Sequence, residues 1–221
     1  MHDTKKTFKS FVFDFDGTLA ELNLDFNFMR NSVIALSFEF GIACENLKNL
    51  LILELIDNVR DLIAQDDPEK ALYFFNEAHL RIKEIEMEAA HKGALLEGTL
   101  SLLTTLKHME IPVGIISRNS HAALMQIFPN ITDYCAVVLS RDKTVHVKPH
   151  TDHLIQALRY LRTSPSDAVM VGDHPLDIHL GREVGTYTIG VLTGYTQADT
   201  LFASGADLVL NRAVEILDVL Y

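Results

Sequence analysis

FVFDFDGTLA, residues 11–20, opens as a buried strand and then breaks its own pattern. Phe11, Val12 and Phe13 are aromatic or β-branched, as suits a strand covered on both faces. Asp14 and Asp16 follow, one residue apart, and then Gly17 and Thr18. Carboxylates are costly to bury unpaired, so two at a strand end mark chemistry rather than packing. Gly17 lets the chain turn away behind them.

Beyond this strand the texture changes. From about residue 25 to 92, apolar residues recur at helical spacing: Phe28, Val33, Leu36 and Phe40, then Leu47, Leu50, Leu51, Leu55, Ile56, Val59, Leu62 and Ile63, then Leu72, Phe75, Ala78, Leu80, Ile82, Ile85 and Met87. Asp67-Pro68 reads as a helix start, and Gly41 and Gly93 as helix stops. After Gly98 helices alternate with short, continuously apolar strands: a helix at 99–109, a strand at 113–116, a helix at 122–128, a strand at 136–139, a helix at 151–161, a strand at 168–171, a helix at 178–184, and strands at 186–191 and 207–210. Continuous apolar strands between helices predict a parallel sheet covered on both faces. The expected fold is α/β, a doubly wound, Rossmann-like parallel sheet with an inserted α-helical domain. The expected boundaries are 1–20 and 94–221 for the core and 21–93 for the helical insert, with a hinge at 19–24 and 93–98.

Composition narrows the function. The chain has 221 residues and a formal charge of −11. With no basic stripe, nucleic acid is not an expected partner, and an acidic surface has no pull toward anionic membranes. No apolar run approaches the roughly 18 residues of a membrane span. Lys5, Lys6 and Lys9 lack an apolar segment behind them, so no secretory leader is expected. Cys44 and Cys135 are far apart and form no CxxC, which suits free thiols in a reducing, cytoplasmic setting.

In open parallel sheets, ligands bind beyond the carboxyl ends of the strands. There this chain places Asp14 and Asp16, then Ser117, Arg118 and Asn119, then Lys148-Pro149, then Gly172-Asp173 and Asp177. Asp14, Asp16, Asp173 and Asp177 form a hard oxygen set suited to Mg²⁺. Lys148 and the Ser117 hydroxyl suit a phosphoryl group, and backbone N–H groups at the Gly17–Thr18 turn are candidate anion donors. One aspartate can attack phosphorus, while a second, one residue on, protonates the leaving oxygen and later activates water. Ser117 also reads as the N-cap of the following helix.

These stretches, in this order and spacing, resemble the four motifs of the haloacid dehalogenase superfamily of phosphohydrolases. The likeness covers roughly 11–20 and 93–217, and the insert resembles the small helical cap of phosphoglycolate-phosphatase-like members. The resemblance implies that Asp14 is nucleophile and metal ligand. It implies that Asp16 is the general acid/base and lends its backbone carbonyl to the metal. Ser117 holds a phosphate oxygen, Lys148 neutralises charge, Asp173 ligates Mg²⁺, Asp177 supports it, and Thr18 fixes the first loop. Arg118 departs from the pattern by intervening before Asn119; it is a candidate for an anionic group on the substrate or for pairing with a nearby acid.

The expected activity is Mg²⁺-dependent hydrolysis of a small soluble phosphate monoester through an aspartyl-phosphate. Two alternatives stay open: a phosphomutase of the β-phosphoglucomutase type, and a non-catalytic phosphate-binding relative. The oligomeric state is not specified by the sequence. His146, His150 and His153 are spaced like a transition-metal set, but read as a solvated helix start. Phe26, Phe28, Phe38, Phe40 and Tyr73-Phe74-Phe75 read as core of the insert.

Overall fold

The structure is a computed structural model and describes residues 7–43, 47 and 49–220. The chain forms two compact units, Met1–Leu22 with Ala90–Tyr221, and Asn23–Ala89. In the first, six strands form one sheet: β1 (Ser10–Phe13), β4 (Val113–Ile116), β5 (Val137–Leu139), β6 (Ala168–Gly172), β7 (Tyr187–Val191) and β8 (Leu208–Leu210). Their spatial order is β5-β4-β1-β6-β7-β8, and every pairing is parallel. Chain progression runs outward from β1 to β5, then returns across the sheet to β6. That is the Rossmann arrangement, and the direction reverses between β1 and β6. Asp14 and Asp173, the residues immediately beyond these two strands, therefore flank the switch point.

Right-handed crossovers put helices reached in opposite directions on opposite faces. Helix α4 (Thr99–His108) and α5 (His121–Ile127) serve the outward half; α6 (Asp152–Leu161), α7 (Pro175–Val184) and α8 (Ala198–Ala203) serve the return. Leu154, Ala157, Leu158 and Leu161 of α6 and Leu180 of α7 pack on Val12, Ile116, Leu139 and Met170 in one buried cluster. Each fully buried aliphatic side chain of this kind stabilises the fold by about 1.5–3 kcal/mol. The C-terminal α9 (Ile216–Leu220) completes this unit.

Some boundaries differ from the sequence reading, for local reasons. Strand β7 begins at Tyr187 because the Thr186 N–H still closes α7, donating to Gly181 O at 2.9 Å around left-handed Gly185 (φ 92°). Ser120, not Ser117, caps α5, accepting from Ala123 N–H at 3.4 Å. The segments expected as a bare hinge carry a two-stranded antiparallel ribbon. β2 (Ala20–Glu21) pairs with β3 (Ala94–Leu95), Ala20 opposite Leu95 and Glu21 opposite Ala94. Two residues are too few for periodicity to show.

The second unit contains α1 (Phe26–Glu39), α2 (Ile52–Ala64) and α3 (Pro68–Ala90). Asp25 caps α1 by accepting from Phe28 N–H at 2.8 Å, and Asp67 receives Lys70 N–H at 2.9 Å at the start of α3. Its core includes Met29, Val33, Leu36, Leu55, Ile56, Val59, Phe74, Ala78 and Ile82. The expectation of an aromatic core is corrected here: Phe74 is buried, whereas Phe26, Phe28, Phe38 and Tyr73 are more than half exposed. Helical periodicity marked aliphatic core positions such as Val33, Leu36, Leu55, Ile56, Val59 and Ile82, but it also took in Leu62, Leu72 and Leu80, which are more than two-fifths exposed, and could not tell which neighbours in a run such as Tyr73-Phe74-Phe75 point inward. Cys44 lies outside the described residues. Cys135 is a buried free thiol, pushed up to about 12 by burial. Among the described residues no helix is long and apolar enough to cross a membrane.

Candidate active site

At the end of β1 the ladder continues one step, Asp14 N–H donating to Val171 O at 2.9 Å. This fixes the Asp14 carboxylate over the switch point. The chain then folds back: Phe15 O accepts from Leu19 and Ala20 N–H at 2.9 and 3.0 Å. The expected anion donors of this turn are engaged within it, Gly17 N–H on Ala20 O at 2.8 Å and Thr18 N–H toward Phe15 O at 3.4 Å. Asp16 lies one step along, its Oδ1 accepting from Leu22 N–H at 2.9 Å.

Lys148 is the centre of the charge arrangement. Its Nζ lies 2.6 Å from Asp14 Oδ1 and 2.7 Å from Asp177 Oδ1, and the residue is 4% exposed. Asp177 is in the first turn of α7 and also accepts from His174 N–H at 3.3 Å, completing a capping box with the His174 side chain. Gly172 must lack a side chain, because a Cβ there would stand 2.3 Å from the Asp177 carboxyl carbon. Asp173 reaches the same place from β6, and single carboxylate oxygens of Asp14, Asp173 and Asp177 all lie within 4.8 Å of one another. Thr18 Oγ1 points at Asp173 Oδ1 from 3.4 Å. Ser117 is buried beside Asn119, whose N–H donates to Ser117 Oγ at 3.2 Å. Arg118 is turned onto the Lys148 carbonyl.

The electrostatics define what the site can hold. Burial raises the Asp14 carboxyl, an effect Lys148 opposes and Asp177 reinforces. Burial likewise lifts Asp16 to about 6, against its bond from Leu22 N–H. Burial, then Asp14 and Asp177, raise Asp173 to about 8. Lys148 is raised to about 12, because Asp14 and Asp177 outweigh the burial that lowers it. Several carboxylates thus share one ammonium, and a hard divalent cation fits the oxygen set and the charge deficit.

These shifts set a pH dependence. A carboxyl raised in the folded state binds more protons there than in the unfolded chain, so stability falls as pH rises through its folded value. His153 is lowered from 6.5 to about 4 and acts oppositely, adding stability as pH rises up to about 6.5. Above about 6.5 the raised carboxyls, Asp173 foremost, therefore set the trend up to about 8. The melting temperature of metal-free protein is expected to fall across that interval, and Mg²⁺ to flatten the fall. A melting temperature that rises with pH in EDTA would contradict the assignment.

Sequence reasoning missed the loop after β7. Thr193 Oγ1 donates to Gly17 O at 2.5 Å, and a Cβ on Gly194 would stand 1.8 Å from Asp173 Oδ2. Gly17, at φ 79°, bounds the same carboxylate, with a Cβ position 2.6 Å from Asp173 Oδ2. The available signal was a glycine just past a strand in a sheet whose other strand ends carry the site. Gly194→Ala is expected to weaken Mg²⁺ binding by at least about tenfold, measured by titration calorimetry. Unchanged affinity would show that Asp173 is free to move aside.

The histidines divide. His146 and His150 are exposed, with rings stacked 4.2 Å apart, and together with Asp152 present ligand atoms within 4.8 Å of one another. His153 departs from the solvated reading: it is fully buried, because α6 turns it toward the sheet with its apolar face.

The family model of haloacid dehalogenase-like hydrolases matches residues 11–191, spanning the strand ends just described. The chain belongs to this family. Haloacid dehalogenase-like relatives that align over nearly its whole length are phosphatases, which places it among the family's phosphohydrolases. It is 27% identical to the N-acetylmuramic acid 6-phosphate phosphatase of Pseudomonas putida, over 96% of both chains. It is 25% identical to the phosphoglycolate phosphatase of Chromobacterium violaceum, over 97% of both. With the pyrophosphatase PpaX of Bacillus cereus it shares 32% identity over 52% of its own length, spanning only 54% of that relative. The solved β-phosphoglucomutase of Clostridium difficile superposes with a TM-score of 0.69 at 20% identity, covering 95% of this chain and 93% of the other. At that identity the likeness concerns the fold.

Proposed function

We propose that this haloacid dehalogenase-like protein hydrolyses a small soluble phosphate monoester by way of an aspartyl-phosphate. The observation that carries the reading is Lys148, held 2.6 Å from Asp14 and 2.7 Å from Asp177 at the switch point. A buried ammonium there keeps the Asp14 carboxylate ionised in a site whose burial would otherwise protonate it. It also offers positive charge where a phosphoryl group must sit. Asp14, Asp173 and Asp177, with the Asp16 backbone carbonyl, would hold Mg²⁺, which supplies charge neutralisation at the phosphoryl oxygens.

The residues then divide the work. An Asp14 carboxylate oxygen forms a bond to phosphorus as the ester P–O bond breaks. Asp16, raised to about 6, gives its proton to the departing alkoxide. In the second half, Asp16 takes a proton from water, the hydroxide oxygen bonds to phosphorus, and the Asp14–phosphorus bond breaks to release inorganic phosphate. Ser117 and Lys148 hold the phosphoryl oxygens throughout. The phosphatase relatives that align over nearly the whole chain support a phosphomonoester as substrate.

The test is inorganic phosphate release from a panel of small phosphate esters, sugar phosphates and phosphoglycolate included, with Mg²⁺ and with EDTA. Release with Mg²⁺ that stops in EDTA is expected. A folded protein that releases no phosphate from any ester, or instead moves the phosphoryl group to a sugar hydroxyl, overturns the reading.

A further inference from the structure

The carbonyl oxygen of Leu139, the last residue of β5, receives two hydrogen bonds. Ser117 N–H donates to it at 2.9 Å. The His153 ring meets it through Nε2, also at 2.9 Å. At the other edge of the ring, Lys148 N–H points at Nδ1 from 3.0 Å. A carbonyl only accepts and a peptide N–H only donates, so this ring carries its proton on Nε2 and leaves Nδ1 bare. Burial, opposed by the Leu139 bond and assisted by the Lys148 and Arg118 charges, lowers the ring to about 4, so it stays uncharged near neutrality. The Lys148 carbonyl is taken by Arg118 Nη1. The backbone of Lys148 is thus held at both its N–H and its C=O.

A core histidine with both nitrogens satisfied would serve packing alone if its partners were ordinary. Here one partner is the backbone of the lysine whose ammonium sits between Asp14 and Asp177. The other is the same oxygen that fixes the Ser117 amide. We propose that His153, as its Nε2–H tautomer, is the positioning residue that fixes Lys148 between Asp14 and Asp177 and in register with Ser117. The catalytic consequence rests on the phosphatase reading; the clamp itself rests on the hydrogen bonds. A leucine at 153 fills similar space but leaves the Lys148 N–H without its acceptor. A displacement of the order of 1 Å at a positioned group costs about 10²-fold in rate.

The experiment compares His153→Leu and His153→Gln, each alone and combined with Lys148→Met. Glutamine can accept with its oxygen and donate with its nitrogen, so it retains the logic of the ring. With the best ester, His153→Leu is expected to lower kcat by about 10- to 100-fold with little change in KM, and His153→Gln to recover most of it. In the Lys148→Met background His153→Leu should cost much less, because most of its effect passes through Lys148. An equal loss in both backgrounds would make His153 a packing residue and overturn the proposal.

A second readout needs no activity. Amide exchange at Lys148, followed by NMR, should be slow in the wild type and at least about tenfold faster in His153→Leu. Unchanged exchange overturns the clamp. If no ester is turned over but protection is lost, the clamp stands and the phosphatase reading falls. If His153→Leu does not fold, the ¹⁵N spectrum of wild-type His153 decides. Protonation on Nε2 alone at pH 7 supports the proposal, and a charged ring or an Nδ1–H tautomer refutes it.

Discussion

Asp14→Asn is expected to abolish phosphate release, by at least about 10³-fold in kcat, while the protein stays folded. The amide is nearly isosteric with the carboxylate but has no anionic oxygen to bond to phosphorus. No compensating nucleophile stands at the same strand end: Asp16 Oδ1 is turned to Leu22 N–H at 2.9 Å. The carboxyl of Asp14 is raised by burial, so the substitution removes a desolvated charge and spares most of the metal-free stability. A melting temperature near that of the wild type, together with lost turnover, separates this from unfolding. Retained turnover would move the nucleophile elsewhere and require a different reading of Asp14.

Lys148→Met should have the largest effect on stability. Methionine keeps the unbranched stem and removes the ammonium, leaving the Asp14 and Asp177 carboxylates without their common partner. Breaking a buried pair from one side costs about 3–5 kcal/mol. The deficit has a definite pH sign. Without Lys148 the opposition to the burial of Asp14 is lost and its carboxyl rises further, so the deficit is greatest above neutrality and shrinks as that carboxyl takes up a proton on acidification. Mg²⁺ should restore part of it through binding to the folded state. Lys148→Arg should not rescue turnover, since a planar guanidinium does not fit a compact position shared by two carboxylates. Urea unfolding at pH 6 and pH 8, with Mg²⁺ or EDTA, measures all of this. Equal stability of the variant and wild type at pH 8 in EDTA would mean that the ammonium is not desolvated between its partners.

The fold was legible because its signals are local. Continuous apolar strands such as Phe11–Phe13 and Ala168–Val171 cannot be half-exposed, and their alternation with helices leaves a parallel sheet as the economical arrangement. The grouping of the candidate site residues was legible for a related reason. In a parallel sheet every strand points its carboxyl end the same way, so Asp14, Ser117 and Asp173 had to share an edge once the strands were placed. What escaped depends on contacts between side chains and backbone that are distant in sequence. A glycine just past a strand marks Gly194 as a place to look, but does not say that its backbone lies against the Asp173 carboxylate. Nor does a histidine five residues after Lys148 announce whether it faces water or the Leu139 carbonyl. The turn amides at Gly17 and Thr18 escaped because a glycine turn can direct its N–H groups outward or close on itself, and here it closes.

The ribbon that pairs Ala20–Glu21 with Ala94–Leu95 bears on how such a chain diversifies. It brings the ends of the intervening segment side by side, at the few-ångström separation of paired strands. For the sheet, everything from Asn23 to Ala89 is one long excursion with a sealed neck. Loop-closure entropy grows only logarithmically with the length of such an excursion. The segment can therefore be lengthened or shortened without re-registering a single strand. A graft that keeps this neck leaves the strand ends that carry Asp14, Ser117 and Asp173 in place.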